Sequence, residues 1–194
     1  MPQRIPIVIV TGPPGAGKGT FMRAVSEGLQ WPLFSKDELK EILFDQLGSE
    51  SRNDSRRYGV ATFEQLGYLL EQQLKVGKSC VLETAFIPKF WDPRVVEFVE
   101  NYNAYFVQVF LTADDDVLKK RFVERAQTQE RHDGHFDTAL DAQEEYVRDL
   151  EARKWRPLTV NGPTFTVDTT DQLAFSADSQ AQFVQDVRAA VSFE

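Results

Sequence analysis

Ile7-Val8-Ile9-Val10-Thr11-Gly12-Pro13-Pro14-Gly15-Ala16-Gly17-Lys18-Gly19-Thr20 reads as a buried strand that breaks into a glycine-rich loop and feeds a helix. Glycines at 12, 15, 17 and 19 remove the Cβ atoms that would hold a polyphosphate away from the backbone, so successive N–H groups can converge on its oxygens. Lys18 adds a full positive charge. The helix starting there aims its N-terminal amides and dipole at the same anion, which makes the loop a phosphate cradle.

Downstream of the cradle the chain alternates strands with helices. Phe21, Val25, Gly28 and Leu29 recur at helical spacing, and Trp31 to Phe34 is a short second strand. Ser35-Lys36-Asp37-Glu38 has the spacing of a capping box and opens a helix to about Leu47, which puts Asp37 in its first turn. Residues 48–59 carry no apolar period and read as a solvated polar loop, its three arginines available to an anionic substrate. A long amphipathic helix runs from Val60 to a stop at Gly77. Ser79 to Leu82 is a third strand ending at Glu83-Thr84, and Asp92-Pro93 has the form of a helix start. Tyr105 to Leu111 is a fourth strand, and Asp114 to Asp116 crowd the first turn of the helix carrying Arg121 and Arg125. A polar segment from Gln127 to Asp137 precedes a helix to about Trp155, a fifth strand at Thr164 to Val167 and a closing helix through Val191. This alternation implies a parallel sheet with helices on both faces. Ligands of such sheets bind beyond the carboxyl ends of the strands, where the cradle, Asp37, Glu83 and the residues after Leu111 gather.

The 194 residues fit one domain, and 42% hydrophobic with 27% charged content is ordinary for a globular protein. A net charge of -8 disfavours a broad nucleic-acid surface while leaving room for a local basic pocket. The single cysteine, Cys80, forms no intrachain disulfide and suits a reducing cytoplasm. Ile5 to Val10, interrupted by Pro6, is too short for a membrane span or a signal peptide.

Gly12 to Thr20 has the form Gly-x-Pro-Gly-x-Gly-Lys-Gly-Thr, with Gly19 where the usual Walker A hydroxyl stands and Thr20 one position on. It resembles the loop of the adenylate-kinase-like small P-loop kinases. Asp37-Glu38-Leu39-Lys40 resembles the Asp-x-x-Arg element of the polynucleotide-kinase-like and small-metabolite members of that superfamily, in which the Asp is the general base and the Arg contacts the phosphoryl group. Lys40 stands in place of that Arg and gives up its two-pronged contact. The likeness is to the AAA-type small kinases related to polynucleotide kinase, and it covers residue 5 to about 137, more loosely to the end.

That resemblance implies a three-layer α/β/α P-loop fold with a five-stranded parallel sheet in the order 2-3-1-4-5 and a small lid over about 126–138. It implies ATP and Mg²⁺ at Gly12, Gly15, Ala16, Gly17, Lys18, Gly19 and Thr20, with Thr20 and Glu83 beside the metal directly or through water. The expected reaction moves the ATP γ-phosphate to a hydroxyl of a small molecule. In it Asp37 is the base, Lys18 holds the phosphates, and Arg121 and Arg125 close from the lid, with Lys40, Glu83 and Arg131 toward the acceptor. Each residue also has a plainer reading: helix N-terminal stabilisation for Asp37, a cap for Glu83, and surface ion pairs for the two arginines. His132 and His135 invite a metal reading, and Trp31, Phe86, Phe90 and Trp91 an acceptor wall, although aromatics beside strands are more often core. Nucleoside monophosphate kinase, polynucleotide 5′-hydroxyl kinase and non-enzymatic nucleotide switch are the rival readings.

Overall fold

A computed structural model describes residues 4–128 and 131–192. The expected lid and the single-domain reading therefore extend over a few positions, 1–3, 129, 130, 193 and 194, that lie outside the described residues.

The order of elements is β1 (Ile5–Thr11), α1 (Lys18–Leu29), β2 (Leu33–Ser35), α2 (Lys36–Leu47), α3 (Arg52–Lys75), β3 (Cys80–Glu83), α4 (Pro88–Tyr102), β4 (Ala104–Thr112), α5 (Asp115–Ala126), α6 (Leu140–Glu151), β5 (Thr164–Asp168) and α7 (Ala177–Val191). Two short 3₁₀ turns, Asp133–His135 and Gln172–Phe175, precede α6 and α7. The strands form one sheet in the order β2-β3-β1-β4-β5, all neighbours parallel, as the resemblance implies.

β1 lies at the centre because both of its faces are apolar. Ile7 to Val10 are fully buried, and successive side chains alternate between two cores. Val8 and Val10 join Phe21 and Val25 of α1, Leu118 and Phe122 of α5, and Val187 of α7. Ile7 and Ile9 join Leu66 and Leu70 of α3 and Trp91, Val95 and Phe98 of α4. Each such side chain contributes roughly 1.5–3 kcal/mol on burial. The register places Val10 and Ser35 each beside Glu83, so the strand ends that feed the site open on one edge.

Two element boundaries differ from the sequence reading. α3 begins at Arg52, where Ser51 caps it by accepting the Asp54 N–H, so residues 52–59 are helical rather than a loop. Their inward face has no apolar period because it is polar: Ser55 is buried, and Arg52 pairs with Asp141 and Glu145 of α6. α4 begins at Pro88 rather than at Asp92-Pro93, so Pro93 lies inside the helix. Asp92 instead accepts hydrogen bonds from the Thr159 amide at 3.0 Å and the Thr159 hydroxyl at 3.3 Å. Phe86 and Trp91 meet edge to face at 4.4 Å in the core, and Phe90 is exposed, so these aromatics form no acceptor wall. No helix among the described residues is long and apolar enough to cross a membrane.

Candidate active site

The loop between β1 and α1 is held in its cradle shape by backbone requirements. Gly12 and Gly17 have φ of 143° and 81°. A Cβ on Gly12 would stand 2.2 Å from the Leu111 carbonyl oxygen, and one on Gly17 would stand 2.5 Å from the Phe175 ring. Only glycine fits either position. The loop is also tied from outside: the Tyr146 hydroxyl donates to the Pro14 carbonyl, and the buried Thr169 hydroxyl donates to the Ala16 carbonyl at 3.2 Å. The N-terminus of α1 has no side-chain cap, so its amides face the cleft as ready anion donors.

A cleft of about 550 Å³ lies over this loop, lined by Gly15, Gly17, Lys18, Gly19, Thr20, Arg121 and Arg125 among others. The Lys18 ammonium donates to the Pro13 carbonyl at 3.1 Å and lies 4.0 Å from Glu83 Oε1. Burial lowers the Lys18 pKa and raises that of Glu83, and each opposes the shift of the other. Glu83 Oε2 also accepts the Ser35 hydroxyl at 2.8 Å. Ser35 thus ends β2, bonds Glu83 and, by accepting the Glu38 N–H, caps α2. Glu38 reaches Arg23 at 3.8 Å. Among the described residues no three His, Cys, Asp and Glu side chains gather to hold a metal, so a magnesium ion fits only with phosphate and water supplying most of its ligands. Glu83, buried behind Lys18, and Thr20, lining the cleft, are the groups present for such a shell.

Arg121 and Arg125 divide the cleft between them. Arg121 donates to the Thr169 carbonyl at 2.8 Å and its hydroxyl at 3.2 Å, and its guanidinium stacks 5.6 Å from the Phe175 ring centre. It is part of a wall with the turn after β5, away from the lid. Arg125 lies inside: its nearest carboxylate is Asp137 at 3.8 Å, and its Nε is buried with no partner among the described residues. A buried unpaired N–H beside a phosphate cradle fits an anion.

Asp37 is on the first turn of α2, its Oδ2 accepting Arg131 Nη1 at 2.8 Å, while Arg131 Nε donates to Asp137 at 2.7 Å. Burial opposes the shift, yet the Arg131 charge holds the Asp37 carboxyl well below the usual range. Arg131 is therefore hydrogen-bonded to two carboxylates, and it also lines a smaller cavity beside Asp37. His135 meets Glu41 at 2.9 Å and His132 meets Asp45 at 3.2 Å. Asp37, Glu41 and Asp45 are spaced i, i+4, i+8 on one face of α2, so the two histidines and Arg131 dock segment 131–137 onto an acidic stripe rather than forming a metal site.

Behind Asp37 lies a second cavity of about 250 Å³. Lys18, Asp37, Glu83 and Arg125 line both it and the nucleotide-sized cleft, and Lys40 lines its inner wall. Lys40 is 8% exposed, donates to the Ser55 hydroxyl at 2.8 Å, and has its pKa pushed down to about 8 by burial, with the Lys36 charge adding to the effect. Thr169, Phe175, Asp137 and Lys36 escape the sequence reading. Thr169 and Phe175 belong to no motif and lie some 150 residues from the loop they brace, whereas the adjacency of Lys36 to Asp37 was a signal.

A glycine loop at the end of a central parallel strand, with a lysine and a flanking arginine, defines a P-loop nucleotide-binding protein. More narrowly, the chain belongs to the AAA domain family AAA_33, whose model matches residues 7–150, and it is a member of the P-loop kinase superfamily. It is similar over 98% of its length, at 32% identity, to the whole of a "putative kinase" from Chloroflexus aurantiacus j-10-fl, with a TM-score of 0.87. The fold is also that of Chaetomium thermophilum Kti12 in complex with ADP-AlF3, at a TM-score of 0.64 and 18% identity over 97% of this chain and 100% of that one. A stretch of 38 residues is 47% identical to the cytidylate kinase of Pectobacterium carotovorum, covering 20% of this chain and only 17% of that protein.

Proposed function

We propose that the protein transfers the γ-phosphate of ATP to a hydroxyl group of a small molecule. The carrying observation is that Lys18, Asp37, Glu83 and Arg125 line both the nucleotide-sized cleft and the smaller cavity behind it, so one set of charged groups faces a donor and an acceptor at once. The capture of Kti12, of the same fold, with ADP-AlF3 supports a nucleotide in the cleft.

When bound, ATP with Mg²⁺ supplies the phosphoryl group and a neutralising charge on its oxygens. Lys18, the loop amides and the uncapped N-terminus of α1 hold the phosphates. Arg125 brings an unpaired N–H to the charge that develops as the acceptor oxygen bonds to phosphorus and the bond to ADP breaks, its electron pair leaving with ADP. Asp37 accepts the hydrogen bond of the attacking hydroxyl and then its proton, which passes to solvent. A carboxylate held so far toward its ionised form is a weak base, so its main contribution is to orient the hydroxyl, in keeping with a loose transition state.

ADP release over a panel of hydroxyl metabolites, with ³¹P spectra of the products, tests this. Asp37→Ala, which removes the orienting carboxylate, is expected to lower kcat on the order of 10² to 10⁴ with ATP affinity retained. Equal phosphoryl transfer by Asp37→Ala and wild type would remove Asp37 from the reaction, and ADP formed with free phosphate as the sole product would replace transfer by hydrolysis.

A further inference from the structure

We propose that Lys36 and Lys40, one turn apart on α2 and both turned toward Gly59 of α3, form an anion subsite that selects hydroxyl acceptors bearing a carboxylate or phosphate group. This rests on the phosphotransferase reading and names the acceptor class for it.

The charges of the cavity do not balance at its inner end. Asp37 and Asp137 are both committed to Arg131, Glu83 to Ser35 and Lys18, and Lys154 is taken by Asp149. Among the described residues neither Lys36 nor Lys40 has a carboxylate within 4.0 Å. The Lys40 ammonium, deep in the wall, has one hydroxyl, that of Ser55, and the face of Phe44 at 5.1 Å. The Lys36 ammonium has the face of Phe63 at 4.8 Å. An ammonium offers three donors, and a buried one with a single neutral partner is costly until an anion arrives. In a chain of net charge -8, a half-buried Lys36 beside the buried Lys40 is no by-product of a basic surface.

Gly59 is the independent observation. It stands inside α3, where glycine costs about 1 kcal/mol relative to alanine. Its backbone does not require glycine, because its φ is not among the positive ones. Packing does not require it either: the atoms nearest a Cβ there would be the Lys36 ammonium at 3.7 Å and the Cε and ammonium of Lys40, each at 3.9 Å. What glycine leaves open is the space onto which both ammonium groups converge. Gly59 lines an adjoining cavity of about 470 Å³ that Lys36 and Lys40 border, and the same two lysines line the cavity that also holds Asp37, so an acceptor whose hydroxyl meets Asp37 presents its anionic group to them. Lysines bind as point charges without the planar fork of arginine, so carboxylate and phosphate both suit them.

The test compares matched acceptors in phosphoryl-transfer assays: glycerol, glycerate and glycerol 3-phosphate, then glucose, gluconate and glucose 6-phosphate. Calorimetry of each compound on protein saturated with a non-hydrolysable ATP analogue runs in parallel. At least one anionic member is expected to exceed its neutral counterpart roughly tenfold in kcat/KM, and Lys36→Gln or Lys40→Gln to raise its KM roughly tenfold to a hundredfold, with the KM for ATP little changed. The carboxylate and phosphate arms separate the two anion sources. Gly59→Ala, whose fold is if anything firmer, is expected to raise the same KM several-fold with an unchanged or higher melting temperature. Transfer to neutral members as efficient as to anionic ones, or an anion preference untouched in all three variants, overturns the subsite and leaves the kinase reading standing. Lysine-dependent binding of an anionic probe with no ADP formed sustains the subsite and overturns the kinase reading. Binding of no probe to the nucleotide-loaded protein overturns the subsite.

Discussion

In the nucleotide cleft, position is set by the backbone. Gly12 and Gly17 take conformations closed to other residues, and the loop is tied by Tyr146 and Thr169 through its own carbonyls. In the cavity behind Asp37, position is set by charge: Arg131 bridges Asp37 and Asp137, and His135 and His132 reach Glu41 and Asp45. The loop itself is held by backbone conformation and by hydrogen bonds to its carbonyls rather than by ion pairs. Apart from the neighbouring Arg131–Asp137 pair, the second depends on side chains 87 to 94 residues apart in the chain, and it answers to pH and ionic strength. A common polyphosphate donor suits a fixed cradle, and a particular acceptor suits an adjustable pocket.

The largest test of this contrast is Gly17→Val, which forces a φ of 81° on a β-branched residue and drives its Cβ toward Phe175. The strain costs about 3 kcal/mol, and relief by movement of the loop raises the nucleotide Kd on the order of a hundredfold. Titration with a fluorescent ATP analogue measures it, and an unchanged Kd would mean that the cradle is not backbone-determined. Next comes Arg131→Met, which strands Asp37 and Asp137. The loss is about 2 kcal/mol, less than for a fully buried network because Asp37 is 43% exposed. Amide exchange is expected to quicken over residues 131–137 and the first turn of α2 while amides 12–20 keep their protection. Equal quickening in both regions would merge the two halves into one unit.

The smallest expected effects are of pH. The Asp37 carboxyl is held below its unfolded value, so the stability from its pair with Arg131 is present above the unfolded carboxylate range and is lost as pH falls through the folded value. Lys40 runs the other way. Its folded pKa of about 8 lies below the ordinary 10.5, so between those values the unfolded chain holds a proton that the folded one has released, and stability rises with pH across that window. Over the same interval the uncharged Lys40 binds an anion less well. Melting curves of wild type and Lys40→Gln from pH 7 to 10 are expected to converge as pH rises, and parallel curves would place the Lys40 titration elsewhere.

How much of this was readable beforehand follows the same division. β1, the cradle, the start of α1 and the Ser35 cap are local in sequence, because a strand, a tight glycine turn and a helix cap each depend on neighbours within a few residues. The sheet order followed from the resemblance. The acceptor side read poorly. Residues 52–59 looked like a loop because the inward side of that stretch is the buried Ser55 with the half-buried Arg52 and Gly59, which leaves no apolar period to detect. Arg121 sat on the expected helix face, yet its partner Thr169 comes after β5, and only the fold brings the two together.

The hydroxyl of Ser35 has one proton, and it is given to Glu83 while the same oxygen receives the first turn of α2. A rotation of α2 about its own start therefore cannot leave Glu83 undisturbed, and a displacement of Glu83 is felt at the turn that carries Lys36 and Asp37. For the proposed transfer, a ligand that moves Glu83 and one that meets Asp37 would be coupled through this one hydroxyl, and by linkage whatever factor one imposed on the affinity of the other would be returned.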